Sequence, residues 1–295
     1  MNEFKTYHPI VNLMYFVCTI GFSMFFMHPI CLAISLAASS AYAILLGGRC
    51  ALRRGVLYFL PMLLFMAAIN PAFNHRGVTI LTYLPDGNPL TFESIIYGVA
   101  TAAMILSVIT YFSCYTAVMT SDKFIYLFGR VIPSLSLILS MTLRLVPRFA
   151  QQLGKVTRAQ RGIGRDVKTG GAIKRLRCAA ATLSIMITWS LENAIETADS
   201  MRSRGYGLRG RTAFSVYRID DRDIYALICI FGLGIYLLTG FMRGGLRFVY
   251  YPSLQGGGAS LYEISLFAAY FALCVMPIAM ELYEVRKWKI IRSKI

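Results

Sequence analysis

The sequence predicts an all-α fold, a polytopic membrane helical bundle of about six spans with a cytoplasmic platform of long amphipathic helices. Three observations predict it. The 295 residues are 57% hydrophobic and only 15% charged, a balance too apolar for a soluble domain of this length. Apolar runs recur at close to the roughly 20 residues that cross a bilayer. Between residues 121 and 223, however, about a hundred residues interrupt these runs and carry 18 of the 30 Lys and Arg.

The apolar runs lie at about 9–27, 29–47, 56–73, 94–119, 224–242 and 260–281. His28-Pro29 joins the first two as a tight reversal, because proline lacks the donor a continuing helix needs. Asn70-Pro71 marks the end of the third. Lys and Arg near span ends stay on the cytoplasmic side. Lys5, Arg49, Arg53, Arg54, the basic stretch and the tail from Arg286 to Lys294 all fit an even number of spans with both termini cytoplasmic. Only Arg76, Arg243 and Arg247 then lie outside. This predicts a multi-pass inner (plasma) membrane protein in three parts: a four-span bundle at 1–120, a cytoplasmic stretch at 121–223, and a two-span hairpin with a basic tail at 224–295.

Several function classes are disfavoured. The net charge of +16 does not point to nucleic acid, because aromatic residues are not interleaved with the cations and the membrane topology already explains the bias. Part of that charge faces the headgroups of the lipid bilayer. Ala41-Tyr42-Ala43 has the form of a signal-peptidase site but lies inside the second apolar run, so no cleavage is expected. Cysteines 18, 31, 50, 114, 178, 229 and 274 have no ligand spacing and read as packing residues; His8, His28 and His75 are far apart, so no metal site is expected. Glu93, Glu263 and Glu281 fall at span ends, leaving no acid deep in the bilayer to couple ion flow. Gly162-Ile163-Gly164-Arg165-Asp166-Val167-Lys168-Thr169 resembles a phosphate loop only superficially, since Val167 rather than glycine precedes the lysine and no strand leads in. A membrane-bound enzyme, such as a lipid-modifying transferase, would need a base. Asp166, Asp220, Asp221 and Asp223 are the candidates, and the last three read as a solvated juncture among Arg218 and Arg222.

The basic stretch itself reads as two helices. From Ser134 to about Gln160, Leu135, Ile138, Leu139, Leu143 and Val146 form an apolar side that Arg144 and Arg148 leave, and Pro147 is expected to kink or divide the helix. The second runs from near Gly171 to Arg204, with Ile173, Leu176, Ala180, Leu183, Ile187, Leu191, Ile195, Ala198 and Met201 in one stripe. Glu192, Glu196, Asp199 and Arg202 on another face keep its distal half out of hydrocarbon. At about 1.5 Å per residue it is roughly 50 Å long, suited to lying under a membrane. Gly205 can end it in the left-handed conformation, with Arg204 in the last turn where the dipole favours a cation. Alternatively, Arg204 projects into an acidic groove of a partner, its planar fork matching a carboxylate.

Ser190-Leu191-Glu192-Asn193-Ala194-Ile195-Glu196-Thr197-Ala198-Asp199-Ser200-Met201-Arg202-Ser203-Arg204-Gly205-Tyr206 resembles the second Ala-Arg-Gly signature of the transmembrane T component of energy-coupling factor (ECF) transporters. Arg144-Leu145-Val146-Pro147-Arg148 and Arg158-Ala159-Gln160-Arg161-Gly162 resemble the first signature region. The resemblance implies a non-enzymatic coupling subunit. Its Arg-bearing helix ends, Ser203, Arg204 and Gly205 at one and Arg161, Gly162 and Arg165 at the other, would dock into two cytosolic ABC ATPase subunits. The apolar faces, at Leu135, Ile138, Leu139, Leu183, Ile187 and Leu191, would hold a small hydrophobic substrate-binding S component. The resemblance implies no cofactor on this chain, with ATP and Mg on the partner ATPases, and vitamins or transition-metal ions as the cargo classes. Aligned on Ala159-Gln160, the chain departs from the pattern by carrying Ile163-Gly164 where the family has Arg-Gly, so either Arg161 or Arg165 serves the first site. A permease of a conventional ABC importer docks through a short helix between spans, unlike this double platform.

Overall fold

The computed structural model describes residues 3–74, 77–83, 89–129, 132–166, 171–208, 217–256 and 260–292. His75, Arg76 and the Val167-Lys168-Thr169 part of the loop discussed above lie outside them. After a short 3-10 turn at Glu3–Thr6, the order is α1 (Pro9–Phe25), α2 (Pro29–Phe73), β1 (Ile80–Tyr83), β2 (Pro89–Thr91), α3 (Phe92–Val118), α4 (Ser121–Gly129), α5 (Pro133–Gly162), α6 (Ala172–Ser203), α7 (Asp221–Met242), β3 (Phe248–Val249), β4 (Gln255–Gly256) and α8 (Leu261–Arg292). The chain divides into two compact units, one of residues 1–124 with 217–295 and one of residues 125–216.

In the first unit, α1 and α2 start in the same way. His8 and His28 each accept a hydrogen bond through Nδ1 from the backbone two residues on, at 3.3 Å, and a proline follows at the first helical position, where its missing donor costs nothing. The His-Pro repeat is therefore a pair of helix starts. Among the described residues, five helices are long and apolar enough to cross a membrane: Pro29–Gly48, Phe92–Val118, Ala172–Ser203, Asp221–Met242 and Leu261–Lys287. Four of these match the second, fourth, fifth and sixth predicted spans. The first and third predicted spans form shorter apolar helices, Pro9–Phe25 and Pro61–Phe73. A break at Gly48, with φ 61°, separates the second predicted span from the segment carrying the third inside the 45 residues of α2.

The core of this unit is aromatic and partly polar. Tyr15, Tyr42, Tyr111 and Tyr270 are fully enclosed with Phe4 and Phe16. Phe4 meets Tyr15, Phe16 and Tyr42 edge to face, an arrangement that sets ring edges against ring faces. The Tyr15 hydroxyl donates to the Cys274 carbonyl oxygen at 3.1 Å, tying α1 to α8. Gly98 lets α3 approach α2 closely: a Cβ there would lie 2.7 Å from the Met66 carbonyl oxygen. Two small antiparallel hairpins, β1–β2 and β3–β4, have no counterpart in the apolar pattern because they lie in the short connections between helices. Glu93 and Glu281, expected at span ends, are both buried. Glu93 accepts from the Thr79 amide at 3.2 Å and its hydroxyl at 2.5 Å, and Glu281 is 6% exposed. Of the cysteines, Cys31, Cys114, Cys178 and Cys274 are buried, whereas Cys229 is exposed.

The second unit rests on the α5–α6 pair. Pro147 does not divide α5, which continues through it for 30 residues. Phe149 on α5 meets Trp189 on α6 edge to face at 5.3 Å. Cys178, Thr182 and Met186 are the buried residues of α6. The uncharged segment 178–191 gives α6 the length and composition of a span, but Lys174, Arg175 and Arg177 precede it and Glu192 follows.

Candidate functional site

The two long helices end in one backbone motif. On α5 the Arg165 amide donates to the Gln160 carbonyl at 2.9 Å and the Gly164 amide to the Arg161 carbonyl at 3.0 Å. On α6 the Tyr206 amide donates to Met201 at 3.0 Å and the Gly205 amide to Arg202 at 3.0 Å. Both are Schellman caps, in which a left-handed residue turns the chain back so that two of the helix's last carbonyls find donors. Gly164 (φ 76°) and Gly205 (φ 74°) supply that residue, which any Cβ would strain. The left-handed glycine predicted at 205 thus recurs at 164.

The side chains on these caps differ. On α6, Ser203 and Arg204 are exposed and Arg204 is the capping residue itself; the Ser203 hydroxyl donates back to Ser200 O at 2.9 Å. On α5, Ile163 is the capping residue. Arg161 lies two residues before it and its Nε is paired with Asp166 at 3.1 Å, while Arg165 is exposed beyond the turn. The sequence-derived candidates Arg161, Gly162 and Arg165 therefore share one helix end, and Ser203, Arg204 and Gly205 the other.

Of the apolar candidates, the structure brings Leu183, Ile187 and Leu191 together along one groove and leaves Leu135, Ile138 and Leu139 outside it. Leu135, Ile138, Leu183, Ile187 and Leu191 are exposed, and Leu139 is half-buried. Between α5 and α6 runs an apolar groove of about 340 Å³ lined by Phe149, Leu153, Leu183, Met186, Ile187 and Leu191. A second groove, about 370 Å³, is polar, with Arg148, Gln152, Lys155, Glu192, Asn193 and Glu196 on its walls. Amphipathic helices that leave their apolar side uncovered offer a docking face rather than a core.

Sequence reasoning missed a polar node in the first unit. Asp223 is not a solvated residue: it is 2% exposed, and its two carboxylate oxygens accept the amides of His8 at 3.1 Å and Asp220 at 3.0 Å. The Asp220-x-x-Asp223 spacing, a capping-box pattern at the start of α7, was the signal that could have located it. Asp220 and Asp221 remain exposed. Lys123 on α4 is 4% exposed and donates to the Lys5 carbonyl at 2.5 Å and, more weakly, to that of Tyr7 at 3.4 Å. Asn12, its amide oriented to satisfy both neighbours, donates to Phe4 O at 3.0 Å and accepts from Lys123 at 2.7 Å. Burial, with a smaller effect of the Lys5 charge, lowers the Lys123 ammonium from 10.5 to about 8, and Asp223 opposes the shift. The node locks the starts of α1 and α7 to α4. Among the described residues no group of three His, Cys, Asp or Glu has the arrangement of a metal site.

Apolar helices of spanning length and a pair of capped amphipathic helices are the architecture of a multi-pass membrane protein. The chain belongs to the CbiQ family, whose model, described as cobalt transport protein, matches residues 5–214. It is 37% identical over 97 residues to the energy-coupling factor transporter transmembrane protein EcfT of Lactobacillus helveticus, covering 32% of this chain and 35% of that one. It is 31% identical over 112 residues to the EcfT of Exiguobacterium sibiricum, covering 38% and 42%. An uncharacterized protein of Mycoplasma genitalium, MG181, is 25% identical over 168 residues, covering 53% of this chain and 40% of that one. The chain thus spans between 35% and 42% of the length of these curated relatives.

Proposed function

We propose that this chain is the transmembrane coupling component of an ECF-type ABC importer. It transmits ATP-driven movement of two cytosolic ATPases to a small, substrate-binding membrane subunit, and does no chemistry of its own. The observation that carries this reading is the exposed Arg204 on a rigid Schellman cap at the end of a long helix with an uncovered apolar stripe. A cap whose carbonyls are satisfied internally does not need the arginine, which leaves all of its guanidinium donors for a partner carboxylate. The enzyme alternative loses its best-placed base, since both Asp223 oxygens are occupied by backbone amides.

In this reading both termini are cytoplasmic, the ATPases hold ATP and Mg, and the cargo is a micronutrient, either a vitamin or a transition-metal ion. Ser203 and Gly205 allow close approach at the α6 end, and Arg161, Gly162 and Arg165 flank the α5 end. Leu135, Ile138, Leu139, Leu183, Ile187 and Leu191 receive the small membrane subunit. The test is copurification of the tagged full-length chain from its native membrane. Two ATPase subunits and a small hydrophobic protein should come with it, with only the small protein lost from the Leu183→Asp/Ile187→Asp double variant. An isolated chain free of both partners would contradict the proposal.

A further inference from the structure

Two hairpins connect helices in the first unit, and their surroundings differ. The Tyr250 hydroxyl donates to Met27 O at 2.7 Å, Asn74 Nδ2 donates to the Tyr251 hydroxyl at 3.1 Å, and the His28 and Phe248 rings meet at 5.4 Å. The α1–α2, α2–α3 and α7–α8 connections therefore share one end of this bundle. The β3–β4 hairpin is folded onto that end, with Tyr250 buried and Phe248 half-buried. The β1–β2 hairpin is not. All four residues of β1 are exposed, Leu81 at 57% and Tyr83 at 66%, as is Val78 just before it.

No Asp, Glu, Lys or Arg lies between Gly77 and Pro85. The base of the hairpin is firmly mounted. Thr79 donates to Glu93 Oε1 through its amide at 3.2 Å and its hydroxyl at 2.5 Å, and the Phe92 amide donates to Thr79 O at 3.0 Å. Gly77 fits against the same carboxylate, where a Cβ would lie 2.6 Å from Glu93 Oε2. The hairpin thus stands on the first turn of α3, a helix of spanning length. Exposed Phe73 ends α2, and exposed Phe92 and Val99, two turns apart, continue along α3. One apolar surface therefore runs from the span to the hairpin.

Two requirements fix what covers this surface. Val78, Ile80, Leu81 and Tyr83 forgo favourable burial if they face open water. The edges of a two-stranded hairpin, in contrast, need water for their unpaired amides and carbonyls, and hydrocarbon supplies none. The boundary between lipid headgroups and acyl chains meets both requirements, and tyrosine, with an apolar ring and a polar tip, suits that layer. We propose that the β1–β2 hairpin is an interfacial anchor, a non-helical membrane-binding element whose Val78, Ile80, Leu81 and Tyr83 lie among the lipid headgroups and upper acyl chains. Glu93 does not oppose this seating, because its carboxylate is enclosed at 3% exposure and bonded to Thr79. The anchor sets the depth at which this end of the bundle rests in the bilayer.

The test uses the full-length chain in phosphatidylcholine nanodiscs, on a Trp189→Phe/Trp288→Phe background that leaves a single reporter. Tyr83→Trp should lose at least about half of its emission to lipids brominated near the headgroup end of the acyl chains, and dissolved iodide should quench it at least about threefold less than free tryptophan. Adding Leu81→Asp should weaken the quenching by brominated lipid at least about twofold and raise that by iodide, since a charge disfavours the apolar layer. Iodide quenching equal to that of free tryptophan, with none from brominated lipid, would place the hairpin in water and overturn the proposal. Protection from both quenchers would mean that protein covers this face, and would overturn it equally. So would a Leu81→Asp variant indistinguishable from its parent.

Discussion

In the unit formed by residues 1–124 and 217–295, Tyr15, Tyr42, Tyr111, Tyr270, Leu237 and Leu273 are wholly enclosed, whereas in the unit of residues 125–216 the helix α6 leaves Ile173, Leu176, Leu183, Ile187, Leu191 and Ile195 exposed. The first set is drawn from five helices, whereas the second recurs at helical spacing along one. The difference lies in what surrounds them. The first unit encloses this set among its helices and pins α1, α4 and α7 with Lys123, Asn12 and Asp223, while Phe25, Ile228, Ile235 and Leu261 stay exposed on its outside. The second buries few residues of α6 and keeps its stripe uncovered.

Substitutions in the first unit should break this contrast most visibly. Leu273→Ala, in the enclosed core, should cost about 3 kcal/mol, read as a lowered unfolding temperature of the purified protein in detergent. Gly98→Ala should cost about 1–3 kcal/mol by forcing α3 away from Met66 O, in the same assay. In the second unit, Ile187→Ala should change stability by less than about 0.5 kcal/mol while weakening capture of the small membrane subunit. An unfolding temperature lowered as much as by Leu273→Ala would make the stripe a core and remove the contrast.

A separate effect is set by pH. The folded protein holds the Lys123 ammonium at about 8 against an ordinary 10.5. Between those values the unfolded chain keeps a proton that the folded chain has released, so stability rises as pH increases through that window. Below about 8 both states are protonated and the slope from this group vanishes. Lys123→Met should lack that rise, so the unmodified protein's unfolding temperature should climb relative to the variant's between about pH 8 and 10.5 and not below about 8, measured from pH 7 to 10.5.

Much of this architecture was readable from the chain because it depends on local spacing. The steps of three and four from Ile173 to Met201 placed the second long helix at about 171–204, and Ala172–Ser203 is observed; Ser134–Gln160 became Pro133–Gly162. What was not readable depends on tertiary neighbours. Pro147 sits inside an unbroken helix, and a proline's effect on its helix is set by what packs around it. Asp223 looked solvated among Arg218 and Arg222, and only the approach of His8, 215 residues away, encloses it. The break in α2 at Gly48, by contrast, falls where the second apolar run ends, at about 47, and was legible from the run's length. At the candidate site, the Arg204-Gly205 cap was legible, but the matched cap at Gly164 emerges only from its hydrogen bonds. That match turns an apparent irregularity at Ile163 into a position with a geometric counterpart.

The central claim is that the end of α6 is a docking point for an ATPase, and affinity measures it most directly. Full-length protein in lipid nanodiscs, titrated with its purified cassette ATPases, should lose at least about thirtyfold in affinity on Arg204→Ala, as truncating one partner of a buried charge pair does. Its unfolding temperature should stay unchanged. Undiminished affinity in that variant would contradict the account.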